Sequence, residues 1–401
     1  MRHTPPLSPL QPSHTSQTTV AGIYIHIPFC KSRCIYCGFY STTSLSLIDD
    51  YVRTVCLELS MRKDYLRGDP VSTIYFGGGT PSQLRPAHLE TILNSIYNIY
   101  NVEAKEITVE CNPDDLDNRA DGSALLSALQ GMGVNRLSLG IQTFDDVRLR
   151  FLRRRHTSSQ AVAAVGRAQA AGFDNISIDL MFGFPGQSLQ AWQQDLDRAV
   201  SLDVQHLSAY SLMYEEGTQL ERMLTQGEIT EISDDLSLTM YEHLLDTMAL
   251  NGFEHYEISN FARPGRQSLH NSGYWQGVPY LGIGAGAHSF DGNTRQYNAD
   301  DIGKYLKAEA SLIFPVTLEQ LSPNERYNEF VFTSLRTRQG LDLQLLADRF
   351  GPTLLKYCLR NAEAHLRSGR LNKTDNRLHL TRHGLFISDG IMSDLMMVDN
   401  D

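Results

Sequence analysis

At 401 residues, with 41% hydrophobic and 20% charged side chains, the sequence has the balance of a globular chain of two or three domains with ample length for a core. Its 46 acidic against 35 basic residues give a net charge of −11, which argues against a general polyanion binder and leaves room for a local basic pocket at most. No apolar run approaches the roughly 18 residues of a membrane span, there is no signal-peptide hydrophobic region, and six cysteines in so long a chain do not make a disulfide framework. The expectation is a cytosolic protein without a membrane span, with peripheral membrane association left open by the lack of a lipidation signal or polybasic stretch.

Residues 1–20 hold Pro5, Pro6, Pro9 and Pro12 among serines and threonines, with Arg2 as the single basic side chain apart from histidines. Such a segment cannot bury enough apolar surface to offset its ordering entropy, so it reads as a disordered tail and not as a transit peptide. From Ala21 onward a strand, loop, helix rhythm sets in. Strands are expected at Gly22–Ile27, Ser72–Phe76, Glu106–Glu110, Arg136–Ile141, Asn175–Met181 and His206–Leu212, and helices at Ile48–Arg67, Ala87–Tyr100, Gly122–Met132, Ser158–Ala171 and Leu189–Leu202. This alternation implies parallel strands joined by right-handed crossovers. Six units without a dinucleotide fingerprint favour an α/β fold of the open (βα)6, partial TIM-barrel kind over a doubly wound sheet.

In such barrels chemistry gathers at the carboxyl ends of the strands. The polar and glycine-rich motifs fall there: a cysteine loop after the first strand, GGGTP at 77–81, ECNP at 110–113, GIQT at 140–143, GFPG at 183–186, and Ser211–Glu215 after the sixth. Beyond about residue 220 the rhythm breaks into a helix at Ile232–Leu250, HYEISNF at 255–261, HNSGYW at 270–275 and the loop GIGAGAH at 282–288. A helical pattern from Thr317 ends in a short hairpin around Arg370–Asn372 and Leu378–Thr381. The expected division is a partial barrel at 21–230, an extension of it at 231–315, and a C-terminal α+β, winged-helix-like appendage at 316–401. Nothing basic in that appendage points to nucleic acid, so it reads as a lid or interaction domain.

Cys30, Cys34 and Cys37 form a C-x3-C-x2-C loop. Three close thiolates can hold three irons of a [4Fe–4S] cube and leave the fourth open to a ligand that is not protein. A structural zinc wants four ligands, usually as two separated pairs, and no second pair follows; the spacing alone leaves cluster and zinc open. Cys56, Cys111 and Cys358 are scattered and read as buried structural thiols. Around a cluster the remaining motifs suit S-adenosylmethionine (SAM), whose amine and carboxylate can chelate an open iron beside a reducible sulfonium. The triple glycine lets backbone approach a small zwitterion. Glu110 suits ribose hydroxyls or the ammonium, Gln142 and Asp179 the ribose, and Arg154 the carboxylate. Tyr24 and Tyr36 are expected to flank the cluster. Taken singly, these are a tight turn, a strand-end hydrogen bonder and a solvated arginine run; their order on successive strands sets them apart.

IYIHIPFC (23–30), GGGTP, ECNP, RLSLGIQTF (136–144) and NISIDLMFGFPGQ (175–187) together resemble the radical SAM enzymes, in the oxygen-independent coproporphyrinogen III oxidase-like branch, over about residues 21–395. The resemblance implies a cluster on Cys30, Cys34 and Cys37, with SAM contacts at Tyr24, Gly78, Gly79, Thr80, Glu110, Gln142, Arg154 and Asp179. Oxidases of this branch carry a fourth cysteine two residues after the third. Here that position is Phe39, and only the Pro-rich tail precedes the first strand. Both departures resemble the HemW group of heme chaperones. That likeness implies heme as cargo, client hemoproteins as partners, and an HNxxY heme motif at His270, Asn271 and Tyr274, with homodimerisation left open. His270 is then an axial ligand, or alternatively part of a loop fixed over the active site. The other reading is an oxidase that uses a 5′-deoxyadenosyl radical to decarboxylate coproporphyrinogen III to protoporphyrinogen IX, so enzyme status turns on Phe39.

Overall fold

The structure, a computed structural model, describes residues 20–117 and 122–398. The expected tail therefore lies, except for Val20, outside the described residues. All six expected strands form, as β1 (Ala21–Ile27), β2 (Val71–Gly78), β3 (Val102–Cys111), β4 (Arg136–Gln142), β5 (Ile176–Phe182) and β6 (His206–Ser211). Each pairs in parallel with the next. The helices between them span Ile48–Met61, Pro86–Ile99, Gly122–Gly131, Ser158–Ala170 and Leu189–Ser201. Their starts are chemically marked: Thr157 and Gln160 make a capping box and the Ser188 side chain accepts from Ala191 N.

Successive strand side chains point to opposite faces. One set, including Ile23, Ile25, Ile74, Phe76, Ile107, Val109, Leu137, Leu139, Ile178 and Leu180, is buried with helix residues such as Val55, Ile92, Leu126, Val165 and Trp192 in one core. The other set is polar. Tyr24 and His26, Thr73 and Tyr75, Glu106 and Glu110, Arg136 and Ser138, Ser177 and Asp179, and His206 and Ser208 occupy the alternate positions on the inner face. A one-residue register slip would turn these charges into the helix layer, so the register is strongly specified.

The sheet does not stop at six strands. A hairpin of β7 (Glu254–Glu257) and β8 (Asn260–Ala262) adds to β6, while β9 (Tyr280–Ile283) lies parallel to β1 and leads into an antiparallel meander of β10 (His288–Phe290), β11 (Thr294–Asn298) and β12 (Val316–Gln320). The result is a twelve-stranded sheet in the order β12-β11-β10-β9-β1-β2-β3-β4-β5-β6-β8-β7. The helical reading from Thr317 is corrected here: Thr317–Gln320 is strand, and the helix begins at Pro323 behind a Ser322/Glu325 capping box. At three to five residues these strands are too short to display a period of two, and their partners, not their sequence, fix them.

Glu58, on the first helix and fully buried, joins this extension to the barrel. Its carboxylate accepts from Tyr305 Oη (2.7 Å), Asn298 Nδ2 (2.8 Å), Gly284 N (2.9 Å) and Arg62 Nη1 (3.2 Å). The C-terminal part has its own apolar cluster, including Tyr327, Val331, Leu346, Leu378 and Met392. It is built from the helix Pro323–Leu335, the helical run Leu343–Arg367, the helix Ser388–Leu395 and the small sheet β13 (Leu341–Asp342), β14 (Leu371–Thr374) and β15 (Arg377–Leu380). The long run breaks at Gly351 (φ +82°), which ends one helix just ahead of Pro352, a residue suited to start the next. Among the described residues no helix is long and apolar enough to cross a membrane.

Removing the Glu58 carboxylate strands the buried groups it joins. Glu58→Ala is expected to destabilise the protein by about 3–5 kcal/mol, the scale for breaking a buried charged pair. The check is the denaturant midpoint, with an unchanged midpoint contradicting the role.

Candidate cofactor site at the carboxyl ends of the strands

The cysteine loop leaves β1 and is pinned at both ends. Cys30 N donates to Thr42 O (2.9 Å) and Thr42 N to Pro28 O (2.7 Å). Ile35 is buried in a small apolar cluster with Leu152, Met181, Phe184, Leu212 and Leu220, so the loop is plugged into the mouth while its thiols stay half-buried. All three thiols are free. Burial pushes the Cys30 thiol up and that of Cys37 up to about 11, and the neighbouring loop thiols add to both shifts. Among the described residues no three His, Cys, Asp or Glu side chains are arranged to hold a single metal ion. A cube offers a separate iron to each of three thiolates and does not need them to converge on one ion. The donor set therefore fits a polynuclear iron–sulfur cluster, whose positive irons would stabilise thiolates that burial alone disfavours.

Beside the loop lies the triple glycine, where side chains are excluded. Gly78 has φ +107°, and a Cβ there would stand 2.5 Å from the His26 ring; one on Gly79 would stand 2.7 Å from the backbone of Pro28. Thr80 Oγ1 lies 3.4 Å from Cys30 Sγ and accepts from Asn112 Nδ2 (3.2 Å). Glu110 accepts from Tyr75 Oη (2.7 Å) and Gly78 N (3.1 Å), which ties the third strand end to the second. Gln142 sits where the β4–β5 register shifts, at φ +73°, and its amide closes over Gly140 together with the Arg154 guanidinium.

Arg154 shows how one member of an arginine run is selected. Arg153 takes φ +61° after the helix Asp146–Phe151, and Arg154 N returns to Leu149 O (2.8 Å), a left-handed helix stop that throws residue 154 back into the barrel. Its Nη2 donates to Gly140 O (2.5 Å) and Asn112 Oδ1 (2.6 Å), Nη1 lies 3.6 Å from Cys34 Sγ, and Nε has no partner. The exposed Arg155 pairs with Asp114 and Asp115 instead. An unsatisfied guanidinium N–H next to the loop thiols is a donor suited to a ligand carboxylate.

Two carboxyl groups complete the mouth. Burial pushes Glu110 up to about 7, with the charge of Asp179 adding to the rise and the bonds from Tyr75 and Gly78 opposing it; burial likewise raises Asp179 to about 6 against a hydrogen bond from Ser208. Tyr36 lies within electrostatic reach of Cys34, Cys37 and Arg154, and burial raises it. Tyr24 is placed deeper, its Oη 3.1 Å from His26 Nδ1 and its ring stacked on Tyr75 at 6.0 Å. Phe39 is 70% exposed.

The HNxxY segment lies at the other end of the barrel, on the helix Leu269–Trp275 near the amino ends of β1 and β2. His270 Nδ1 lies 2.8 Å from Thr73 Oγ1, and Nε2 lies 2.8 Å from Tyr274 Oη. The structure thus brings the cysteines, Gly78, Gly79, Thr80, Glu110, Gln142 and Arg154 together and keeps His270, Asn271 and Tyr274 apart from them. Sequence reasoning passed over Thr73, Tyr75, Glu106 and Arg136. Each lies an even number of residues from a group on the inner face, and that spacing was the available signal.

The pattern of the radical SAM superfamily matches residues 24–199, and that of the HemN C-terminal domain matches residues 321–387. The chain is 34% identical over 379 residues to the heme chaperone HemW of Lactococcus lactis, covering 94% of this chain and 97% of that protein. The chain belongs to the HemW family of the radical SAM superfamily. HemW of Bacillus subtilis is also 34% identical, over 92% of this chain and 97% of its own. The mitochondrial radical S-adenosyl methionine domain-containing protein 1 of Mus musculus is 33% identical over 96% and 89% of the two chains. Coproporphyrinogen III oxidase (HemN) from Escherichia coli, at 22% identity, shares the fold with a TM-score of 0.81 over 94% of this chain and 90% of its own.

In the cluster-free fold Glu110 and Asp179 keep protons at pH values where exposed carboxyls have lost them. Their raised pKa values therefore cost stability as pH rises from about 4 through 7. Glu110→Gln is expected to melt above wild type at pH 8, with the gap closing toward pH 4. A gap that does not change with pH contradicts the assignment.

Proposed function

We propose that this chain is a heme chaperone of the HemW type, which binds a [4Fe–4S] cluster, SAM and heme and delivers heme to client hemoproteins. The observation that carries this reading is the end-to-end likeness to HemW proteins at about 34% identity. The replacement of a fourth cysteine by the exposed Phe39 supports it against an oxidase reading. Cys30, Cys34 and Cys37 hold the cluster. When bound, the cluster and SAM supply an open iron and a reducible sulfonium.

The chain's own groups do the binding and orienting. The unsatisfied Arg154 Nε–H receives the methionine carboxylate of SAM. Gly78, Gly79 and Thr80 let backbone line its amino-acid end, Glu110 takes its ammonium or ribose hydroxyls, and Gln142 and Asp179 take the ribose. The buried tyrosines and Ile35 keep water out of the mouth.

For the cargo we favour the HNxxY end of the barrel. A cleft of about 180 Å³ there is lined by Leu269, Tyr274, Val278, Tyr280, Lys105 and Gln276. It is smaller than the ~300–1,000 Å³ that enclose a drug-sized ligand, so it suits one edge of a flat macrocycle held for release, not a sealed pocket. The aromatic rings offer stacking surface and Lys105 a cation for a propionate.

The test incubates anaerobic, cluster-loaded protein with SAM, a reductant and coproporphyrinogen III, and in parallel offers its heme complex to an apo-hemoprotein. The expected result is transfer of heme without decarboxylated porphyrinogen. Robust porphyrinogen decarboxylation, or no heme binding by the loaded protein, overturns the proposal.

A further inference from the structure

The histidine of the HNxxY motif reaches the wall of this cleft but is almost wholly buried. His270 is 3% exposed, and both ring nitrogens are held by hydroxyls, Nδ1 by Thr73 and Nε2 by Tyr274. An iron bound at Nδ1 would leave the buried Thr73 hydroxyl unpaired, and one bound at Nε2 would have to displace Tyr274 from the ring. Burial holds the ring neutral, with its pKa lowered to about 3. The backbone is fixed as firmly. Glu106, on the inner face of β3, accepts from Leu269 N (2.9 Å), His270 N (3.0 Å) and Ser268 Oγ (3.4 Å), so a barrel carboxylate caps the start of the motif's helix. On the other side, a Cβ on Gly22 would lie 3.2 Å from His270 Cε1, which leaves the ring little room to swing.

What the ring touches next is the site at the far end. His270 stacks on Tyr75 with centroids 5.1 Å apart and planes 26° from parallel. Tyr75 Oη donates to Glu110, whose other oxygen holds Gly78 N. Tyr274, His270, Tyr75, Glu110 and Gly78 thus form a continuous column from the amino end of the barrel to the glycine loop, every joint a hydrogen bond or a stacked ring. Thr73 and Tyr75 are two apart on β2, so the hydroxyl that orients His270 and the ring that His270 supports share one face of one strand.

We infer that His270 is a positioning residue: held by Thr73 and Tyr274, it sets the Tyr75 ring and through it the Glu110 carboxylate and Gly78 amide for SAM, and it does not ligate heme iron. The inference rests on the reading that SAM binds at the glycine loop. It assigns the HNxxY helix to the cofactor site through the barrel interior, and assigns heme, where bound, an iron ligand other than His270.

The experiment measures SAM affinity of the anaerobic, cluster-loaded protein by equilibrium dialysis, alongside the absorption spectrum of its heme complex. Thr73→Val, which removes one hydroxyl at constant shape, is expected to weaken SAM binding about tenfold, the scale for losing an outer-shell partner, and Thr73→Ser to restore it. A role confined to stability would lower the melting temperature of Thr73→Val without moving that affinity. His270→Ala is expected to weaken SAM binding and to leave the heme spin state, which reports the iron's ligands, as in wild type, while the Soret position is free to move because His270 lines the cleft. Unchanged SAM affinity in Thr73→Val, or a changed heme spin state in His270→Ala, overturns the inference while the SAM reading stands. Wild-type protein that binds no SAM overturns that reading and this inference with it.

Discussion

Everything at the mouth of this barrel depends on the two-residue period of its strands. The side turned to the helices is given to Ile, Leu, Val and Phe, and the side turned inward is given to Thr, Ser, Tyr, His and four charged residues, Glu106, Glu110, Arg136 and Asp179. Apolar burial on one side, worth roughly 1.5–3 kcal/mol for each large side chain, holds the strands in a register that leaves the other side free for polar work. In a barrel packed for stability alone the interior is filled with branched apolar residues. Here the interior is a polar network, and each inward group is useful only while its partner stands opposite it.

Buried charge is costly unless it is paired, and the way this chain pairs it divides structural from functional groups. Glu58 and Glu106 have their oxygens filled from within the protein and serve as joints, one between the barrel and its extension, the other between β3 and the HNxxY helix. Glu110 and Asp179 are less well served, which is why burial raises both. Arg154 and Arg136 each keep an Nε–H without a partner; the nearest carboxylate oxygen to Arg136 Nε is that of Glu106, at 4.0 Å, already engaged elsewhere. Arg136 opens β4 at the amino end of the barrel, whereas Glu110 and Arg154 stand at the carboxyl ends, and under-satisfied groups of opposite sign there are the expected signature of a zwitterionic ligand's place.

The sequence was most legible where local chemistry repeats. Six strands and four of their five helices were placed within a few residues because their periods are long enough to read, the first helix ending at Met61 rather than at the expected Arg67, and the glycine loop and cysteine spacing announced themselves. What it hid was set by tertiary pairing. The short strands β7 to β12 are defined by the edges they join, and Val316–Gln320 carries no sign that it pairs with β11. In the run Arg153–Arg155 a left-handed residue turns the middle side chain inward; Arg154 was singled out through the family resemblance, since three identical letters do not themselves show which one turns. His270 is the sharpest case. Its motif left open a ligand or a fixed loop, and the partners of its two nitrogens, Thr73 almost two hundred residues earlier and Tyr274, could not be read from the motif.

The measurement closest to the centre of this account is the electron paramagnetic resonance spectrum of the reduced, cluster-loaded protein with and without SAM, in wild type and in Arg154→Met. If the thiols of Cys30, Cys34 and Cys37 leave one iron open and Arg154 guides the carboxylate to it, SAM changes the wild-type signal and leaves the variant's signal as it was. A wild-type signal that SAM does not alter, or an identical response in the variant, contradicts it.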